Sequence, residues 1–470
     1  MNYRQTMEYI ESLSRYGSVL GLANMERLCA ALERPEERLR VIHVAGTNGK
    51  GSTVAYISSI LKAAGYRVGT YTSPAVNDYR ERFCVNQRMI SQKALCEYME
   101  RLKGVCGDLV AQGFPHPTVF EVETALAFLY FQEKNCDYAV VEVGLGGATD
   151  ATNVIRHPIA CVWTSISMDH MAILGKTLKE IAAVKAGIAR PGAVYVTARQ
   201  EPEALEQLQR AVEEAQKAAI EAVTEPPAGS AGAFQQRAVE DIRQQTTEHR
   251  YMESGLVVAD DAQAKILSEN LATTQFRYRE FPKLKIHLPG RHQVTNAVLA
   301  VECICQLRER GLVAVSDAAV LKGLDEARWP GRLEVIGHNP LFVLDGAHNE
   351  DAAKRLAQNI EIYFTNKRII YIMGVLKDKE YEKMLRITAG YADHILTVTP
   401  PDNPRALPAL ELAQVARECH PRVTNTASLE EAVELSHLLA EKEDVILCFG
   451  SLSWLGGMRR VYEDFRKHRR

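Results

Sequence analysis

The chain has no excess of charge of either sign. Lys and Arg together number 56 against 59 Asp and Glu, a formal net charge of −3. A nucleic-acid or membrane-surface binder should show one dominant sign, so neither class of partner is expected. No apolar run approaches the ~18 residues that a membrane span needs. The stretch Met1-Asn2-Tyr3-Arg4-Gln5-Thr6-Met7-Glu8 lacks the basic flank and apolar core of a secretory signal. Ten cysteines are scattered, and the closest pair, Cys303 and Cys305, is not spaced like a Cys-x-x-Cys metal or redox site. A reduced, cytoplasmic protein is therefore expected. What is present is an ordinary globular mix, 46% apolar and 24% charged over 470 residues. At ~150 residues per domain this predicts two or three domains, each with enough chain to bury its own core.

Short β-branched runs alternate with helix-like segments, the pattern of α/β layers with a parallel sheet. Val41-Ile42-His43-Val44 reads as a buried strand entering a glycine-rich turn, followed by a helix from Thr53 to Ala64. Further strands are predicted at 67–71, 138–143 and 159–166. Each ends in polar or glycine-rich residues, at the edge where open parallel sheets bind ligands. Between about 201 and 250 the composition shifts to Ala, Glu and Gln. Leu205, Leu208, Val212, Ala215 and Ala219 recur at helical spacing, Pro226-Pro227-Ala228-Gly229-Ser230 interrupts them, and Phe234, Ala238 and Ile242 resume. This predicts an inserted helical hairpin with a mobile tip. Arg328-Trp329-Pro330-Gly331 reads as a linker. Beyond it, strands at 341–344, 369–373, 395–398 and 445–449 alternate with helices such as 352–360 and 429–440. The fold class expected is thus α/β: a P-loop ATP-binding domain with a mostly parallel sheet (1–328, insertion included), a linker (329–332), and a smaller Rossmann-like domain (333–470).

Gly46-Thr47-Asn48-Gly49-Lys50-Gly51-Ser52 sits between a strand and a helix. Backbone N–H groups of such a loop, with the helix amino terminus behind them, form a nest for phosphates, and Lys50 would reach the β/γ-phosphates. A glycine-rich turn with an exposed lysine is the plainer alternative. Glu142 ends an apolar strand, ahead of Gly144-Leu145-Gly146-Gly147, where a nucleotide-bound Mg²⁺ needs an oxygen ligand; a helix-capping carboxylate is its alternative. Asp169-His170 ends the next strand, although magnesium prefers oxygen to imidazole. Asp345-Gly346-Ala347-His348-Asn349 and Ser451 follow the first and last strands of the second domain, where a helix cap and a turn residue are the plain readings.

Together these residues resemble a family. His43-Val44-Ala45-Gly46-Thr47-Asn48-Gly49-Lys50-Gly51-Ser52 is similar to the phosphate loop of folylpolyglutamate synthases and dihydrofolate synthases. These belong to the ATP-dependent amide ligases that include the Mur ligases. The resemblance continues through Thr72-Ser73-Pro74, Phe120-Glu121, Glu142 to Gly147, Asp150-Ala151-Thr152-Asn153, Asp169-His170 and Lys185-Ala186-Gly187-Ile188. It resumes at Pro330-Gly331-Arg332, Asp345 to Asn349, Gly374 to Lys379, Arg405-Ala406-Leu407 and Gly450-Ser451-Leu452. The motifs run in order over nearly the whole chain except 201–280.

The resemblance implies roles. Asn48, Gly49, Lys50, Gly51 and Ser52 would hold the ATP phosphates, with Asn296, Arg332 and Asp345 on the adenine, phosphate and ribose sides. Ser73, Glu142 and His170 would bind two Mg²⁺ ions, and Lys185 would carry a carbamate. Thr118, Val119, Phe120 and Glu121, with Thr149, Asp150 and Ala151, match the stretches that contact pteroate, and His348 and Ser451 are assigned to glutamate. Lys50, Glu142, His170 and Lys185 are the catalytic set. Two departures bear on substrate choice: Ala148-Thr149 stands where Arg-Leu is usual, and Tyr79-Arg80-Glu81-Arg82-Phe83 where Phe-Asn-Glu-Arg-Ile is common.

The activity implied adds L-glutamate to dihydropteroate, to the glutamyl chain of tetrahydrofolate, or to both, in folate biosynthesis and polyglutamylation. ATP would convert the substrate carboxylate to an acyl phosphate, positioning and charge neutralisation being most of the catalysis. A monomer is expected. The rival readings are another Mur-type amide ligase and, more remotely, a P-loop ATPase switch, which needs no Asp345 and His348 constellation.

Overall fold

In the computed structural model of the chain, residues 1–17, 21–224 and 255–468 are described. The first domain is built on eight strands: β1 (Val41–Ala45), β2 (Val68–Tyr71), β3 (Phe83–Val85), β4 (Arg88–Met89), β5 (Tyr138–Glu142), β6 (Ala160–Trp163), β7 (Val194–Ala198) and β8 (Val257–Ala259). Their order is β4-β3-β2-β5-β1-β6-β7-β8, parallel except for the β3–β4 hairpin at one edge. Successive side chains of a strand face opposite ways, and both faces are covered. Ile42 and Val44 pack under helices Lys50–Ala63, Arg291–Glu309 and Asp317–Glu326. Val41, Ala139 and Val141 pack under helices Gln92–Ala111 and Val119–Glu133. A strand buried on both faces must be continuously apolar, which is why β1 and β5 contain so few polar residues. His43 is one exception: it is fully buried, and its Nε2 pairs with Thr152 Oγ1 at 2.8 Å.

Three further strands, β9 (Lys265–Glu269), β10 (Thr274–Tyr278) and β11 (Phe281–Ile286), make a small antiparallel sheet. The second domain has β12 (Glu334–Gly337), β13 (Leu341–Leu344), β14 (Ile369–Met373), β15 (His394–Thr397), β16 (Val423–Asn425) and β17 (Val445–Phe449). They are ordered β12-β13-β17-β14-β15-β16, all parallel but β12. Helices Glu350–Tyr363, Tyr381–Thr388 and Ala409–Cys419 cover one face, and Leu429–Leu439 and Leu455–His468 the other.

Several predicted bounds shift for physical reasons. The helix after the phosphate loop begins at Lys50, three residues before Thr53. The strand predicted over 159–166 leaves the sheet after Trp163, because the next residues pair with the phosphate loop: Thr47 N donates to Ser165 O at 2.8 Å and Ser167 N to Thr47 Oγ1 at 3.0 Å. The first arm of the insertion is one helix, Pro202–Thr224, with Ala204, Leu208, Val212 and Ala215 buried against the first domain and Leu205 only half-buried. Its predicted tip and second arm, including Phe234, Ala238 and Ile242, lie outside the described residues. Among the described residues no helix is long and apolar enough to cross a membrane.

Candidate active site

The carboxyl ends of β1, β5 and β6 lie side by side, since β1 pairs with both β5 and β6. The loops leaving them meet the second domain in one cleft. On the first-domain side it is lined by Gly46 to Gly51, Ser73, Glu142, Gly144, Asp169, His170 and Lys185, and on the other by Arg332, His348 and Leu452. A connected pocket adds Ser52, Gln293, Asn296, Asp345 and Arg355, sharing Asn48, Gly49, Arg332 and His348 with the first.

The phosphate loop needs its glycines for different reasons. Gly49 has φ +92°, a left-handed conformation, and a Cβ there would lie 2.3 Å from Asn296 Oδ1. That close approach brings Asn296, on helix Arg291–Glu309, against the loop. Lys50 opens the following helix, and its Nζ donates to Gly46 O and Thr47 O, both at 3.2 Å, 4.0 Å from Glu142 Oε1. The Ser52 hydroxyl is buried with no partner, an unmet hydrogen-bonding group in a loop shaped for an anion.

Glu142 is buried and accepts from Ser73 N at 3.3 Å. Burial pushes its carboxyl up to about 7 against the pull of Lys50. Lys185, buried on helix Leu178–Ala186, donates from Nζ to Gly46 O at 2.9 Å. Burial pushes its amine down to about 7, and Lys50 adds to the shift. The plain reading, an ammonium reaching water, does not hold for this side chain. His170 takes a left-handed φ of 51° ahead of the short helix Met171–Leu174, and burial lowers its imidazole to about 4.

Other assigned residues are engaged locally. Asp345 accepts from Leu333 N and Ala347 N, both at 2.9 Å, fixing the backbone around Arg332. His348 Nδ1 bonds Gly346 O at 2.8 Å, which makes Nδ1 the protonated nitrogen and turns Nε2 toward Asp169 at 3.9 Å. Ser451 is buried and caps the turn after β17 through Ser453 N at 3.3 Å; its neighbour Leu452, not Ser451, lines the cleft. The pteroate group does not line this cleft. Thr118 and Glu121 form a capping box at the start of helix Val119–Glu133. Asp150 accepts from Leu145 N, Thr152 N and Thr152 Oγ1, Ala151 opens the turn that it caps, and Thr149 is exposed. Val119 begins the helix, while Phe120 packs its ring on Gly144, so this group abuts the cleft from behind the glycine loop.

One constellation has no counterpart in the assignment by motif. Asp169 Oδ1 receives Lys379 Nζ at 2.9 Å and Asp169 Oδ2 receives Asn349 Nδ2 at 3.0 Å, both from the second domain. Burial acts to raise the Asp169 carboxyl, but Lys379, His170 and His348 hold it well below the usual range. Asn48 Nδ2 adds a bond to Asp351 at 2.8 Å. Lys379 lies in the motif Gly374 to Lys379, but nothing local distinguishes it from Lys377. Among the described residues, no group of three His, Cys, Asp or Glu side chains could hold a metal unaided.

The chain matches the Mur ligase middle domain over residues 44–304 and the Mur ligase, glutamate ligase domain over residues 331–452. It belongs to the Mur ligase family. The dihydrofolate synthase/folylpolyglutamate synthase of Bacillus subtilis is 34% identical to it, over 97% of this chain and 98% of that protein. Folylpolyglutamate synthase of Lacticaseibacillus casei is 32% identical, over 87% and 88%. The solved structure of Mycobacterium tuberculosis folylpolyglutamate synthase complexed with ADP superposes with a TM-score of 0.82 at 27% identity, covering 98% of this chain and 99% of that one. This Mur ligase is accordingly an ATP-dependent glutamate ligase of folate metabolism, of the folylpolyglutamate and dihydrofolate synthase branch.

Proposed function

We propose that the cleft joins L-glutamate to dihydropteroate, to the glutamyl chain of a reduced folate, or to both, through an acyl phosphate. The observation that carries this reading is the gathering of Lys50, Glu142, Lys185 and the partnerless hydroxyl of Ser52 at one cleft, facing Arg332 and His348 across the domain boundary. Asn48, Gly49, Lys50, Gly51 and Ser52 hold the phosphates, and Asn296, Arg332 and Asp345 the rest of the nucleotide. Magnesium fits the donors. It takes one or two protein carboxylates and fills its remaining positions with phosphate oxygens and water, and Glu142 is a buried carboxylate with no cation among the described residues nearer than Lys50 at 4.0 Å. Ser73, Glu142 and His170 would hold two such ions, which neutralise phosphate charge when bound.

The substrate carboxylate attacks the γ-phosphorus and ADP leaves. The glutamate amine attacks the acyl carbon, phosphate leaves, and the amine gives up a proton. His348, uncharged at neutral pH because burial lowers its imidazole to about 4, presents Nε2 as an acceptor for that amine. Ser451 supports the glutamate pocket, and Lys185 takes up CO₂ as a carbamate, its lowered amine leaving a neutral fraction to react. Thr118 to Glu121 and Thr149 to Ala151 hold the pteroate. Residues 1–328 form the ATP-binding unit, 329–332 the linker and 333–470 the glutamate-ligase unit. The ligase works as a cytoplasmic monomer without nucleic-acid or membrane partners; its ten free thiols suit a reducing compartment.

The deciding assay is ADP release with dihydropteroate or tetrahydrofolate, each with and without L-glutamate. Full turnover is expected only with both substrates present. Robust turnover on ATP alone would overturn the proposal.

A further inference from the structure

The last helix of the chain reaches back to the first domain. Arg459, on helix Leu455–His468, donates from Nε to Asn77 Oδ1 at 3.0 Å, and its Nη2 lies 2.6 Å from Glu334 Oε2. Each partner is itself a tie. Asn77 sits in the loop that leaves β2 through Ser73 and Pro74, and Glu81 gathers that loop. Its Oε2 accepts from Val76 N and Asn77 N at 2.9 and 3.1 Å, and its Oε1 from Asn77 Nδ2 at 3.1 Å. Glu334 Oε2 also accepts from Gly331 N at 2.9 Å. Gly331 O accepts from Gly346 N at 2.9 Å, and Leu333 N donates to Asp345. The backbone is therefore pinned on both sides of Arg332. Shape reinforces the contact, since a Cβ on Gly456 would lie 2.1 Å from Val76 O, so only glycine lets the helix sit on the loop.

We propose that Arg459 is a positioning residue. One guanidinium fixes the linker that carries Arg332 and the loop that carries Ser73 relative to each other, and so keeps water from the acyl phosphate. The inference rests on the ligase mechanism proposed above. Water attacking the acyl carbon returns the carboxylate and free phosphate, so ATP is consumed with no amide made. A loosened loop therefore shows as a leak, whereas a smaller folded fraction lowers ADP and amide together. The planar fork suits two acceptors at once, which a lysine ammonium on its flexible stem does less well.

The test uses the full chain and counts ADP released per labelled glutamate incorporated, with ATP affinity and thermal melting measured alongside. Arg459→Met is expected to lower amide formation about tenfold and to raise ADP per amide about twofold or more, with ATP affinity unchanged within about twofold. Arg459→Lys should fall between. Asn77→Ala should leak in the same direction by less, and the double variant should leak no more than Arg459→Met, because the residues act as a unit. A ratio that stays at the wild-type value in Arg459→Met, or additive effects in the double variant, would overturn the proposal. Should Arg459→Met fail to fold, Asn77→Ala decides alone: an unchanged ratio rejects the coupling and a raised one supports it. Wild-type protein that forms no amide would remove the ligase mechanism and this inference together.

Discussion

The two walls of the cleft are built on opposite terms. On the first-domain wall, Glu142 and Lys185 are buried and poorly matched, and burial brings both toward neutrality, the carboxyl up to about 7 and the amine down to about 7. On the second-domain wall, Asp345 and His348 are each tied to neighbouring backbone, as is Ser451 just behind it. Buried groups short of partners destabilise a fold and are best accounted for by a ligand that completes them. Groups that are already satisfied shape a surface instead. The first wall is thus suited to changing charge during the reaction, and the second to presenting it with a fixed form.

The largest effects should therefore come from the first wall. Lys50→Ala or Glu142→Ala is expected to lower turnover at least about a hundredfold at every Mg²⁺ concentration. A near wild-type rate from either would erase the contrast. Lys185→Ala should cost about tenfold to a hundredfold, the range for a group that orients metal ligands. Acetate should restore part of the rate, and undiminished activity of the variant in CO₂-depleted buffer would dismiss the carbamate.

Stability against pH gives a second probe of the first wall. Between the ordinary 4.5 and about 7, folded Glu142 keeps a proton that the unfolded chain has lost, so its contribution makes the ligand-free protein less stable as pH rises through that window. Glu142→Gln should remove this fall in urea titrations. Lys185 acts in the window above. There the unfolded amine, at 10.5, holds the proton, so stability should rise with pH from about 7 toward 10.5. On the second wall, His348→Ala should raise the KM for glutamate about fivefold to tenfold, the worth of one ordinary hydrogen bond, with ATP affinity kept. Ser451→Ala should do less, since its hydroxyl already serves the turn at Ser453. Equal loss of ATP affinity in either variant would indicate misfolding rather than a glutamate contact.

How much of this was legible in the sequence follows from the range of the interactions. β1, β5, β14 and β17 are fully buried and β13 is buried but for Leu341, and local apolar runs located them to within a residue, whereas β7, just as buried, was not announced. The phosphate loop was legible because a strand, glycines and a helix start lie within a dozen residues. β8, β12 and β16 are short edge strands whose pairing, not composition, defines them, and no run announced them. The Asp169–Lys379 and Arg459–Asn77 ties join residues hundreds of positions apart, and nothing local encodes which lysine or arginine makes the contact. The roles of Glu121 and Asp150 divide differently. Their motif pointed to a ligand, while the fold engages both carboxylates in capping its own backbone, a competition that only coordinates reveal.

The register of the central strands has a consequence for how this chain can change. Val44 of β1 stands opposite Glu142 of β5 and Val162 of β6. Because side chains alternate faces along a strand, sliding β5 by one residue would exchange Glu142 for a valine on either side of it. The site is therefore an alignment as much as a set of residues. A single deletion inside Tyr138–Glu142 should be less forgiving than almost any substitution there. Lengthening the loops on the opposite edge of the sheet leaves that alignment untouched, so variation in chain length should be tolerated there first.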